Sequence, residues 1–306
     1  MTRFIVKHLL KAILTIWFIV TVVFVITRMS GDPTDGLLPD DASASVRHEM
    51  RVSMGLDRPI HEQYAEYLGD VLAFDMGDSY YYLRPVNELF AERAGRTLTL
   101  GVASFVIAIA IGVPLGVLAA IRRNSLADRW MMGFSVAADA IPGFVLGILL
   151  IFLFSLGLRM LPSGGSGTAA HYVMPLIALT LGSVANIARL TRSSMLDVLR
   201  QDYLDSARAR GVRETAVIFK HALRNALIPV VTIIGLHIGA LIGGSVVVET
   251  VFSFSGLGSL IVSAAQQRDF PVIQYGTMLI AIAVTFTNLL VDLSYGWFDP
   301  RIRKPH

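Results

Sequence analysis

The sequence contains no cysteine, so disulfide bonds and thiolate chemistry are excluded. Charged residues are scarce as well, at 16% of the 306 residues. No segment matches the phosphate-binding loop G-x-x-x-x-G-K-[ST], so any ATP used by this protein must be hydrolysed on another chain. The histidines are scattered and predict no metal site. No basic patch with interleaved aromatic residues indicates nucleic-acid binding.

Apolar residues dominate instead. They make up 54% of the chain, and the mean hydropathy is +0.62. This composition is too apolar for a soluble domain and predicts an all-α polytopic membrane protein. Long apolar runs predict six membrane-spanning helices. They cover residues 9–27, 97–121, 131–158, 172–191, 227–248 and 275–297.

Basic residues lie mainly on one side of this six-span arrangement. They occur before span one, after span two, from Arg189 to Arg224 and after span six. The short loops on the other side carry only Arg159 and Arg268. By the positive-inside rule, this bias predicts that both termini are cytoplasmic.

We divide the chain into four parts. Residues 1–28 form the N-terminal tail and first span, and 29–94 form a small external helical segment. Short helices are predicted there at 45–54, 60–73 and 86–93. Residues 95–298 hold the other five spans, and 299–306 form a cytoplasmic tail.

A polar stretch at 194–229 separates spans four and five. Its apolar spacing predicts two short amphipathic helices, the first beginning near a capping Ser194. Gly211 occupies the position where a helix end needs a left-handed residue. Glu214 lies in the first turn of the second helix, which leads to Pro229 and the next span. This shape could plug into a groove on another protein; the alternative is an ordinary basic loop.

The residues around Gly211 also carry a resemblance. Asp205, Ser206, Ala207 and Gly211 resemble the loop "E-A-A, three residues, G" of ATP-binding-cassette importer permeases, with Asp205 at the glutamate position. The continuation up to Pro229 resembles the dipeptide, oligopeptide and nickel branch, in which the loop's proline is delayed.

The loop after span five strengthens this resemblance. It is similar to the family's signature at that place, and the motif Asp299-Pro300-Arg301-Ile302-Arg303 resembles the family's closing motif. The resemblance implies that this loop gates the pathway or contacts a binding protein. The residues concerned are Glu249, Phe252, Phe254, Gly256 and Gly258.

The resemblance implies the fold of a type I importer permease in the bacterial inner membrane. It implies a heterodimer with a second permease, two cytoplasmic ATPase subunits that bind ATP and Mg²⁺, and an extracytoplasmic substrate-binding protein. This subunit itself would bind no cofactor and would not be an enzyme. Transport would proceed by alternating access. The ATPase-coupling residues are expected to be Asp205, Ser206, Ala207, Arg208, Arg210, Gly211, Arg213 and Glu214.

Asp139, His237 and Asp292 are ionisable residues within predicted spans. Asp139 in span three and His237 in span five are candidates for lining the pathway, because such groups are costly in a membrane. The alternative for both is a structural hydrogen bond to a neighbouring helix. Asp139 with Asp292 could also suggest an intramembrane hydrolase, but no motif supports it. A channel is a further alternative, although it would not need a docking segment for an ATPase.

The cargo is expected to be a dipeptide or oligopeptide. Nickel chelates, glutathione and haem remain alternatives, since similar permeases carry all of them and the binding protein selects among them.

Overall fold

The computed structural model describes residues 2–39 and 41–298. Within these ranges every regular element is helical, which confirms the all-α prediction. Residues Ile151–Gly157 and Val217–Ala222 form wider π-helical turns that continue α7 and α10. The α-helices are α1 (Thr2–Met29), α2 (Thr34–Leu37), α3 (Ala44–Ser53), α4 (Ile60–Ala73), α5 (Val86–Ile121), α6 (Leu126–Ala140), α7 (Gly143–Leu150), α8 (Ala170–Val198), α9 (Asp202–Ala209), α10 (Glu214–Ala216), α11 (Leu223–Val251), α12 (Leu257–Gln266) and α13 (Phe270–Phe298).

The apolar runs of the sequence do form long helices. Four stretches of the described residues are long and apolar enough to cross a membrane: His8–Met29, Val86–Ile121, Ala170–Val198 and Phe270–Leu289. A bent helix pair counts as a fifth if it is one span. The predicted fifth span, 227–248, falls within the 29-residue helix α11.

The third predicted span is not one continuous helix. It breaks between Leu126–Ala140 and Gly143–Gly157, which meet at 95°. Pro142 causes the break, because a proline disfavours helical geometry in the residue before it. Ile141 is accordingly extended, with φ −92° and ψ 116°.

The predicted short helix at 86–93 is also not separate. Val86 begins the 36-residue helix α5, which runs without interruption to Ile121. The other two short helices of the external segment are confirmed as α3 and α4 within a residue or so.

The chain forms two compact units. Unit 1 comprises residues 1–97 and 255–289. In it, α1 packs on α4 through aromatic rings: Phe24 stacks on Tyr67 with ring centres 5.3 Å apart, and the Tyr67 hydroxyl donates to the Val20 carbonyl. Gln274 on α13 donates to Thr27 on α1 at 3.1 Å. The Tyr67 contacts fasten α4 to α1, and the Gln274 hydrogen bond joins α1 to α13.

A buried carboxylate organises the turn before α5 in the same unit. Asp269 is fully buried and accepts a 2.5 Å hydrogen bond from the Ser79 hydroxyl. The backbone N–H groups of Tyr80 and Tyr81 also donate to it, at 3.1 and 3.4 Å. These bonds replace the water that a buried carboxylate loses.

Among the described residues, unit 2 comprises 98–254 and 290–298, and within it α5 and α8 approach each other closely. A Cβ atom placed on Gly116 would lie 2.5 Å from the Ala188 carbonyl oxygen and 2.6 Å from Thr191. Gly112 is similarly close to Ile187. Small residues permit this approach, as is common between membrane helices.

We therefore expect Gly116→Ala to destabilise the protein by about 1–3 kcal/mol, because the added methyl group meets backbone that cannot move alone. Gly101→Ala is the matched control: it lies on the same helix, and its Cβ would meet nothing within 4 Å. Thermal melting in detergent should separate the two variants. Equal melting temperatures would contradict the close crossing.

Candidate functional site: the segment around Gly211 and the cavity beside Pro142

The polar stretch between spans four and five begins later than the sequence indicated. Helix α8 runs to Val198, so Ser194 lies inside it and is buried rather than capping a new helix. The second short helix and the next span are not separate helices. Helix α10 continues through a π-helical turn into α11, which contains Pro229. We call residues 202–222, which hold α9, the Gly211 turn, α10 and the π-helical turn, the coupling segment.

Gly211 has the predicted left-handed conformation, with φ +79°. Its amide donates to the Arg208 carbonyl at 2.9 Å, which closes the end of α9. A Cβ atom at this glycine would meet nothing within 4 Å. The turn is thus exposed. Only the backbone conformation makes glycine preferable for this chain's own folding.

The coupling segment is attached to three long helices by its apolar face. Leu204 and Ala207 are buried in one cluster with Met195 of α8 and with residues of α5 and α11. The cluster comprises Val117, Ala120, Met195, Leu204, Ala207, Val217, Ala222 and Ala226. Ser206, at the other alanine position of the motif, faces outward. A force on α9 would therefore be transmitted to α5, α8 and α11 together.

Arg208 joins the two arms of the segment. Its guanidinium donates to Asp205 at 2.8 Å and to both carboxylate oxygens of Glu214 at 3.0 and 3.1 Å. These hydrogen bonds hold the pKa of Glu214 below its usual value. Arg210 and Arg213 are both exposed, and Arg210 donates to the Ser206 carbonyl at 3.2 Å. Arg208 is thus engaged within the segment.

A cavity of about 350 Å³ opens in unit 2 beside the break at Pro142. Asp139 and Asn186 are the carboxylate and amide groups on its largely apolar wall. Asn186 donates to one Asp139 oxygen at 2.7 Å, and Arg189 donates to the other at 2.7 Å. Arg189 also donates to the Ser135 carbonyl. The Asp139 side chain is still 41% exposed, so it can meet a solute in the cavity.

A second ion pair joins the same two helices. Arg192 on α8 binds Asp128 on α6 through two hydrogen bonds of 2.6 and 2.7 Å. The Asp128 side chain is 3% exposed and also accepts a hydrogen bond from the backbone N–H of Asn124 at 2.9 Å. Sequence reasoning assigned Arg189 and Arg192 to a basic cytoplasmic loop. The sequence analysis missed a signal here. Arg189 and Arg192 are three residues apart and so share one helix face, and the neighbouring segment carries two acidic residues, Asp128 and Asp139.

The residues predicted for the external loop are largely internal. Glu249, Phe252 and Phe254 are buried in unit 2, where Phe254 meets Tyr172 edge-on at 4.9 Å. In unit 1, Gly256 precedes α12, and Gly258 is buried in the first turn of that helix. The side chains of His237 and Asp292 lie outside the described residues.

Comparison with known proteins identifies the family. Residues 112–304 match the model of the binding-protein-dependent transport system inner membrane component, and residues 1–100 match the N-terminal model of such membrane components. The chain belongs to this family. The glutathione transport system permease protein GsiC of Escherichia coli (strain K12) is 41% identical over 304 residues, covering 99% of both chains. The GsiC protein of Salmonella typhimurium gives the same values.

Solved structures support the fold. The inward-facing MetNI methionine ABC transporter matches 69% of this chain and 96% of that chain, with 21% identity and a TM-score of 0.56. An amino acid ABC transporter crystallised with histidines matches 68% of this chain and 93% of that chain, with 16% identity and a TM-score of 0.56. The fold is that of a type I importer permease.

The resemblance to ATP-binding-cassette importer permeases is thereby confirmed. The chain is a multi-pass permease subunit of an ABC importer and an inner membrane component, rather than an enzyme. Its family implies an ATPase and a substrate-binding protein as partners.

Proposed function

We propose that the coupling segment is the place where a cytoplasmic ATPase docks and drives this permease. The observation that carries the proposal is the exposed Gly211 turn on a short helix whose other face is buried against three long helices. ATP and Mg²⁺ are bound by two such ATPase subunits. Asp205, Arg210 and Arg213 supply exposed charges for the contact.

Helix α8 provides a direct mechanical path from this segment to the cavity. It is continuous from Asn186, on the cavity wall, to Val198, next to α9. This distance is about 18 Å along a rigid helix. A tilt of α9 would therefore displace Asn186 and Arg189 and change the cavity around Asp139. Such a displacement is the alternating-access step that we propose for this subunit.

The cargo that we propose is glutathione or a short peptide, delivered by an extracytoplasmic binding protein and carried between this chain and a second, similar permease. The 41% identical GsiC relatives are named for glutathione transport. Asp139 offers a carboxylate to the amino group of such a solute, and Arg189 beside it offers a cation to a carboxylate.

Reconstitution of the complete transporter tests this function. We expect the permease pair to co-purify with its ATPase, and vesicles containing the complex and the binding protein to take up glutathione or a dipeptide only with ATP. Asp139→Asn should lower uptake while leaving co-purification unchanged, because Asp139 lies on α6 beside Asn186, about 18 Å along α8 from the coupling segment. Failure to retain any ATPase would refute the docking proposal.

We also propose that both termini and the coupling segment face the cytoplasm. Because the chain lacks cysteine, single cysteines can be introduced without background. A membrane-impermeant maleimide should label Gln266→Cys from outside intact spheroplasts and Ala209→Cys only after lysis; both positions are exposed. The reverse labelling pattern would invert the topology.

A further inference from the structure

Unit 1 contains a cavity that the transport cycle proposed above does not use. Its volume is about 300 Å³, and its wall is mostly polar. It is formed by the end of α1, the connection between α3 and α4, the body of α4, the turn before α5 and the start of α13. The polar residues that line it include Arg28, Arg58, Gln63, Asp70, Asp78 and Gln274.

One wall of this cavity carries a cation without an acidic partner. Among the described residues, Arg28 forms no ion pair, and its buried Nε atom has no hydrogen-bond partner. The guanidinium lies over the Phe24 ring at 5.4 Å, which holds it in place. The cavity's other arginine differs, because Arg58 is paired with Glu66 at 3.0 Å. Arg28 is therefore a fixed donor that could receive a carboxylate.

Another wall carries acceptors without a cation. Burial, followed by the nearby carboxylates of Glu66 and Asp75, raises the pKa of Asp70, and no cation of the described residues offsets these effects. Gln63 is only 9% exposed. Its amide nitrogen donates to the Arg58 carbonyl at 2.7 Å, while its buried oxygen has no donor in the described part of the chain. Leaving such an oxygen unpaired is costly, so a ligand that donates to it would be stabilised.

We infer that this cavity binds a small zwitterionic solute, such as a free amino acid or dipeptide. The ligand's carboxylate accepts hydrogen bonds from Arg28, and its ammonium group donates to Asp70 and to the Gln63 oxygen. A lone anion would satisfy Arg28 but would be repelled by Asp70. A metal ion does not fit, since no group of three or more metal-ligating side chains occurs among the described residues. The volume lies near the lower end of known ligand sites, about 300 Å³, so a longer peptide is excluded.

Calorimetry on the full chain in lipid nanodiscs tests the inference with three matched probes. We expect glycylglycine to bind saturably, and N-acetylglycylglycine and glycylglycinamide, which each lack one charge, to bind about tenfold more weakly or worse. Arg28→Gln and Asp70→Asn should each weaken glycylglycine binding to a similar degree. Arg84→Gln is the control, because this arginine is exposed and outside the cavity.

Three results would overturn the inference: no saturable binding of glycylglycine, equal affinity for the blocked probes, or loss of binding in Asp139→Asn but not in Asp70→Asn. The last result would assign the binding to the cavity of unit 2. If Arg28→Gln fails to fold, as judged by its melting temperature, glycylglycine binding by Asp70→Asn alone tests the inference, because this change keeps the shape of the side chain. The experiment needs no ATPase, so its outcome is separate from that of the coupling proposal.

Discussion

Gly211→Asp is expected to abolish ATP-driven uptake, while the protein remains folded, inserted in the membrane and able to assemble with the other membrane subunit. The turn is exposed, and a side chain at residue 211 would meet no atom of this chain within 4 Å. The backbone has φ +79°, a conformation that Asp and Asn adopt more readily than other non-glycine residues. The variant should therefore fold, and any loss of function must arise at the surface offered to the ATPase.

Two further variants separate the causes of this loss. Gly211→Asn has the same size and backbone tolerance as aspartate but no charge. We expect it to uncouple transport as well, because the proposed contact requires close approach of a partner to the bare glycine. Gly167→Asp adds the same carboxylate at another exposed glycine of unit 2 and should leave uptake unchanged.

Uptake in proteoliposomes, measured together with ATP hydrolysis, gives the result. Normal uptake by Gly211→Asp would remove the coupling segment from the mechanism. Loss with aspartate but full activity with asparagine would mean that charge, rather than close approach, governs docking.

Arg192→Gln is expected to have the largest effect on stability. The change leaves the Asp128 carboxylate, whose side chain is 3% exposed, without its two charged hydrogen bonds. Removing one partner of a buried pair costs about 3 kcal/mol or more, because the remaining charge is desolvated and uncompensated. The melting temperature in detergent should fall markedly.

A surface pair provides the control. Arg84 makes ion pairs with Glu88 and Glu92, but all three side chains are about half exposed. Arg84→Gln should not change the melting temperature measurably, since exposed pairs contribute little. The double change Arg192→Met with Asp128→Leu should recover much of the loss, because no buried charge then remains. Equal melting of the two single variants would show that the Asp128 pair is not buried in the membrane-embedded protein.

Local sequence properties were sufficient to place the apolar runs in helices, because hydropathy over some twenty residues determines whether a segment is stable in lipid. They did not show the break at Pro142 or the continuity of 86–93 with the rest of α5. They were also sufficient for Gly211, because the need for a left-handed residue arises within one turn of chain. The resemblance around Asp205 and Gly211 indicated the family, and the matches over residues 1–100 and 112–304 confirmed it. The sequence did not show that α10 is continuous with α11 through Pro229, since a proline is compatible both with the first turn of a new helix and with a helix that continues through it.

The sequence by itself determined that this is an all-helical membrane protein with a left-handed glycine turn between its fourth and fifth apolar runs. Only the tertiary structure decided which charges are paired: Arg189 with Asp139, and Arg192 with Asp128, across 50 and 64 residues of sequence. Only the tertiary structure showed that Phe252 and Phe254 face inward and which residues line the two cavities described above. The physical reason is the separation along the sequence between the residues that determine each feature. A helix and its caps depend on neighbours along the chain, whereas an ion pair or a cavity depends on which helix faces meet.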